Sequence, residues 1–128
     1  MERALGRYAD VIYGVMRIVV GLLFASHGAQ KLFGLFGGQV MTGSPLMLTA
    51  AIVEFVGGLL VALGFFTGIA AFVASGEMAV AYFMAHAPSG FWPIVNKGEL
   101  AVVYCFVFLF IAAHGSGKLS VDAIRRKA

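Results

Sequence analysis

Charge is scarce in this chain. Of its 128 residues only 12% are Asp, Glu, Lys or Arg, while 61% are hydrophobic. Soluble domains carry roughly 25% charged residues. A chain so small and so apolar cannot cover its surface with polar groups, which excludes an ordinary water-soluble domain. Cysteine occurs once, as Cys105, so an intrachain disulfide and a CxxC dithiol couple are both excluded. Histidine occurs three times, without an HExxH or Glu-x-x-His pattern, and no metal site is expected. There is no nucleotide-binding motif. There is also no basic stripe with interleaved aromatics, so nucleic acid is not an expected partner. The pI near 9.3 reflects basic ends.

What the chain does have is long apolar runs, with a mean hydropathy of +0.95. A membrane span needs about 20 apolar residues, and one domain, residues 1–128, is expected. The first run is too long for a signal-peptide core, so no cleavable leader is expected. Four spans are read at about 11–33, 45–66, 69–87 and 97–114, with a basic tail over 115–128. Ser44 and Pro45 suit an N-cap and a first-turn proline. Thr67-Gly68 reads as a tight turn, Pro88 ends the third helix, and Gly115 closes the fourth. Arg3 and Arg7 precede the first span, and Lys118, Arg125, Arg126 and Lys127 follow the last. The positive-inside rule then puts both termini in the cytoplasm. The expected fold is all-α: a transmembrane, antiparallel four-helix bundle, multi-pass in the cell inner (plasma) membrane. Small residues four apart, Gly21 with Ala25 and Gly64 with Gly68, suit close helix packing. The tail SVDAIRRKA reads as a short amphipathic turn or two at the membrane surface.

Polar residues at membrane depth are costly and usually face other helices. Here they are Arg17, His27, Gln30, Lys31, Glu54, Glu77, His86, Glu99 and His114. At about 1.5 Å of rise per residue, Arg17 and Glu77 lie roughly 9 and 13 Å in from the cytoplasmic side. His27 and Glu54 lie at about the same depths from the outer side. Pairing of Arg17 with Glu77 and of His27 with Glu54 is therefore expected. Lys31 and Glu99 fall near the outer surface. Arg17, Gly21, Phe24, Gly28 and Lys31 share one helical face, with His27 beside it. Structural alternatives stand next to these readings. Glu99 with Asn96 resembles a capping box, Arg17 and Lys31 can snorkel, and His114 suits a helix C-terminus. Cys105 suits packing. Glu54 and Glu77 are too deep to snorkel.

The stretch HGAQKLFG resembles the hallmark of the DoxX family. EFVGGLLVALGFFTGIAA, the glutamate of the third helix, KGELAVVYCFVFLF and the terminal HGSGKLSVD agree with it in order. The resemblance runs along nearly the whole chain and implies a small four-helix membrane protein of bacteria or archaea with a redox-associated role. Relatives include the membrane subunit of an archaeal thiosulfate:quinone oxidoreductase. The matching residues are His27, Gly28, Lys31, Glu54, Glu77, Glu99, Gly115, Gly117 and Asp122. The intramembrane ones are candidates for the site, and the glycines and Asp122 for shaping the exit of the last helix.

Three functions compete. The first is a quinone-binding redox subunit. In it His27, Gln30 and Lys31 donate to the ring carbonyls, Glu54 and Glu77 relay protons, and Phe24, Phe55, Tyr82 and Trp92 flank the ring. Arg17 and Glu99 are further ligand-binding or relay candidates. Such a chain holds no self-sufficient catalytic motif, so whether it is itself an enzyme stays open. Quinone is its one candidate cofactor, and a soluble redox protein or a second copy of the chain its candidate partner besides lipid. The second is a transporter of a small solute or anion along Arg17, His27 and Lys31. The third is a scaffold that anchors soluble redox enzymes through the basic tail.

Overall fold

The fold is described from a computed structural model, for residues 1–127. Every regular element among them is helical. A short α1 (Glu2–Gly6) leads into α2 (Ala9–Phe33). Then come α3 (Pro45–Leu63) and α4 (Thr67–Ser89), each continuous but holding a π-helical turn. A single turn, α5 (Pro93–Asn96), precedes α6 (Glu99–His114), and α7 (Val121–Lys127) closes the chain. Three helices, α2, α3 and α4, are long and apolar enough to cross a membrane, and α6 is a shorter apolar helix.

The long helices are apolar outside and small or polar inside. Ile69, Phe72, Phe106 and Phe110 point outward and are exposed, the arrangement expected where lipid is the solvent. Inside, α2 presses against α3 through residues without side chains. A Cβ on Gly21 would lie 2.7 Å from the Gly58 carbonyl oxygen, and one on Gly28 would strike the Phe55 backbone. Gly21 faces Gly58 and Ala62 while Gly28 faces Phe55, so the two helices run antiparallel. Gly64 and Gly68 do not join helix to helix in this way; Gly64 lies tight against the Ser120 side chain and the Arg17 guanidinium. Gly64 is a left-handed helix end (φ +70°) and Gly68 has only ordinary contact with Ala112. The α4–α6 seam is built from Ala70, Ala71, Ala74, Met78, Ala101, Phe108 and Ile111. Within it the Ser75 hydroxyl donates to the Cys105 carbonyl at 2.8 Å. Phe24 of α2 packs its ring on Tyr104 and Phe108 of α6, at 5.3 and 4.7 Å between centroids.

Several boundaries differ from those expected. α3 stops at Leu63 rather than Phe66, because Gly64 turns the chain left-handed. α4 then begins at Thr67, so Thr67-Gly68 is helix and the turn is Gly64–Phe66. Phe66 itself is left-handed (φ +49°), a costly conformation for a bulky residue. Asp122 holds it there. Its carboxylate accepts from the Phe66 amide (3.0 Å), the Thr67 amide (3.1 Å) and the Thr67 hydroxyl (2.9 Å). A residue from the far end of the chain thus caps α4. Ser44 accepts from the Met47 amide and caps α3. The capping box expected of Asn96 and Glu99 does not form. α6 begins only at Glu99, behind Gly98. Asn96 is instead a buried hub: its amide donates to the Tyr82 hydroxyl (3.0 Å) and the Gly90 carbonyl (2.7 Å), and its oxygen accepts from the Gly98 amide (2.8 Å).

Candidate functional site

The polar residues divide into two groups at opposite ends of α2. At one end Arg17 is buried, only 1% exposed, and spends its donors on main-chain carbonyls. Nε donates to Val61 (2.8 Å), Nη1 to Ser116 (2.6 Å), and Nη2 to Leu119 (2.7 Å) and Ala62 (3.3 Å). Val61 and Ala62 lie in the last turn of α3, whose free carbonyls attract a cation. Arg17 therefore neither pairs with Glu77 nor snorkels. It clamps the end of α3 to the loop before α7, and sits about 15 Å along α2 from His27.

At the other end, α2, α3, α4 and α6 converge on a pocket of about 280 Å³. His27, Lys31, Glu54, His86, Lys97 and Tyr104 supply its polar wall, and Phe24, Met78, Leu100 and Ala101 its apolar one. Lys31 donates to both oxygens of Glu54, at 2.7 and 2.9 Å. Glu54 is buried while Lys31 keeps 32% of its side chain exposed. The expected partner of Glu54 was His27. Lys31, one turn further on, takes that place, and the His27 ring stands edge-on to Tyr104 at 6.0 Å.

The local backbone explains how Glu54 reaches the pocket. Its segment Val53–Gly57 is the π-helical turn of α3, which rotates the side chains relative to a regular helix. Gly28 lets that turn lie directly against α2. The second π-helical turn, Tyr82–His86, carries His86 into the pocket wall, where Nδ1 is 3.1 Å from the Asn96 carbonyl oxygen.

The remaining candidates lie around the pocket or away from it. Glu77 approaches Glu54 and Lys31, and its Oε1 is buried without a hydrogen-bond partner among the described residues. Gln30 faces the loop after α2, donating to the Phe36 carbonyl at 3.2 Å. Glu99 is exposed at the start of α6 and is not among the residues lining the pocket. His114 packs on Tyr13 at the far end of α6. Sequence reasoning missed Tyr104 and Lys97 as wall residues. The signal for Tyr104 was present: 101, 104 and 108 share one face of α6, and Tyr104 carries the only hydroxyl in that apolar run. Lys97 lies before the helix, in a left-handed conformation that no helical period places. Among the described residues, no three of His, Cys, Asp and Glu gather as a metal-binding group.

Long apolar helices around a recessed cluster of acid and base groups define a small membrane protein with a partly polar pocket between its helices. The chain belongs to the DoxX family, whose sequence profile matches residues 13–87. The match takes in His27, Lys31, Glu54, Glu77 and His86 and ends before α6. Similarity to a protein of Haemophilus influenzae, named only as an uncharacterized protein, reaches further. The two are 41% identical over 125 residues, 92% of this chain and 93% of that one. No solved structure matches the chain significantly.

Proposed function

We propose that the protein is a multi-pass subunit of the bacterial plasma membrane that binds a quinone, or a similar small ring, in the pocket of His27, Lys31 and Glu54. In this reading α2, α3, α4 and α6 form a transmembrane four-helix bundle with both termini in the cytoplasm. The basic residues around both ends support that orientation. The observation that carries the reading is the pocket's donor set. A quinone presents two carbonyl oxygens on a flat apolar ring. His27, Lys31 and Tyr104 are suitable donors to those oxygens, and Phe24 and Leu100 offer apolar surface to the ring. A volume of about 280 Å³ lies just under the usual range for ligand sites, which suits a single ring.

Reduction of a quinone takes two electrons and two protons. The chain supplies no electron carrier of its own in this reading, so a soluble reductase would bring the electrons, with the exposed Arg125 and Lys127 of α7 as a contact surface. Protons would pass through Glu54, in the pocket wall, and Glu77, which approaches Glu54 from α4. Equilibrium dialysis of the purified protein against a tail-less benzoquinone tests the reading. Saturable binding, weakened at least tenfold by both His27→Ala and Glu54→Gln, is the expected result. Binding unchanged in both variants contradicts it.

A further inference from the structure

A ligand carried in the bilayer has a tail, and a pocket that takes its head must let the tail out into lipid. The polar pocket is bounded on the α4–α6 side by Met78 and Ala101. Behind the same two residues lies a second hollow, about 490 Å³ in volume. It opens between α4 and α6 on the outer face and is walled by Ala79, Tyr82, Phe83, Trp92, Val102 and Phe106. Its surface is almost wholly apolar. The Tyr82 hydroxyl turns away from it, bonding the Phe91 carbonyl and Asn96. Another apolar groove, between α3 and α4, shares no lining residue with the polar pocket.

We infer that the α4–α6 groove is the lateral doorway and tail channel of the polar pocket, so the ligand is a long-tailed, lipid-soluble quinone rather than a water-borne one. The inference rests on the quinone reading above and names the class within it. Three features support it. First, the two hollows share a wall of only small or pliable side chains. Ala101 presents one methyl group, and Met78 is unbranched and adapts readily. Second, the polar pocket's other walls mix Lys97, Lys31 and the two histidines with Phe24 and Leu100, whereas the Met78–Ala101 side adjoins an almost wholly apolar hollow. Third, a tail leaving the bilayer for this groove gains nothing from the hydrophobic effect, since lipid is equally apolar. The groove's contribution is therefore position and route, a role that its aromatic, almost wholly apolar walls suit.

Trp92, the single tryptophan of the chain, lines the groove and reports on it directly. The probe is a benzoquinone bearing a bromine-tipped decyl tail, titrated into protein in nanodiscs and compared with the same ring lacking a tail. Ring binding is followed separately by dialysis of the tail-less form. The expected result is saturable quenching of Trp92, complete near one probe per site, and beyond that caused by a brominated lipid at the same mole fraction. Filling the groove with Val102→Phe, and separately with Ala79→Phe, should abolish the saturable quenching and slow entry of the tailed probe at least tenfold. Tail-less binding should stay unchanged in both. Tail-less binding with no saturable quenching, or with quenching untouched by both variants, overturns the doorway alone. Failure of the tail-less ring to bind overturns the quinone reading, and the doorway with it.

Discussion

Lys31 closes on Glu54 across the α2–α3 contact, its Nζ within 2.9 Å of both carboxylate oxygens. The two ends of this pair are unlike. Glu54 is buried and Lys31 reaches partly into the open. Lys31→Met should therefore be the more damaging change, because it leaves a carboxylate buried and unpaired, at a cost of about 3 kcal/mol. Glu54→Gln leaves a lysine that can still find water, and should cost less. The double variant should recover much of the loss of Lys31→Met. Unfolding in detergent measures all three. Strictly additive losses would show that the pair is not coupled.

The α2–α3 contact sets where Glu54 stands. Gly28→Ala puts a methyl group into the Phe55 backbone, and overpacking of this kind costs roughly 1–3 kcal/mol. Because Phe55 adjoins Glu54 in the π-helical turn, the variant should also weaken ligand binding at least tenfold. Gly37→Ala, in open space on the loop, is the control for stability but has positive φ, so Gly76→Ala on α4, equally unhindered, is the better one. Loss of stability without loss of binding would separate Gly28 from the site.

Arg17 acts at the other end. Arg17→Lys keeps the charge but cannot fork to four carbonyls, and each orphaned buried carbonyl costs about 1–3 kcal/mol. The loop before α7 should loosen while the pocket stays intact. Limited proteolysis should cut the variant near Lys118 and leave its quinone affinity within about twofold. Unchanged protection of that loop would contradict the clamp.

Asp122 makes the same junction sensitive to acid. Its partial burial raises its pKa, but the amide and hydroxyl bonds from Thr67, the amide bond from Phe66 and the nearby Arg125 charge outweigh this and hold it below the usual value of 3.8. A depressed pKa means stability that is complete above the ordinary value and is lost as pH falls through the folded-state value. Hydrogen exchange at the Phe66 and Thr67 amides should therefore quicken below about pH 4, after correction for the intrinsic rate. Asp122→Ala should show fast exchange throughout, with no such step. A step of equal size in Asp122→Ala would assign the effect to another group.

The long helices, the inward face Arg17-Gly21-Phe24-Gly28-Lys31 and the DoxX likeness were all readable from residue order. Each depends on local pattern: apolar length, a 3.6-residue period and a motif. Partner choice was not readable. Depth matching put Arg17 beside Glu77 and His27 beside Glu54, because rise along an axis says nothing of the angle around it. Two π-helical turns change that angle within α3 and α4, and no residue in VEFVG or YFMAH announces them. The reach of Asp122 back to Phe66 was equally hidden, since it joins segments 56 residues apart. Asn96 looked like a cap because its spacing to Glu99 fits one, yet Gly98 and a left-handed Lys97 delay the helix.

The central claim is that the pocket around Lys31 and Glu54 holds a quinone. Its most direct test is an organic extract of the gently purified protein, analysed by mass spectrometry. The account predicts near-stoichiometric long-tailed quinone, lost in Glu54→Gln protein that remains folded. An extract containing phospholipid but no quinone, from folded protein purified out of quinone-replete membranes, would contradict it.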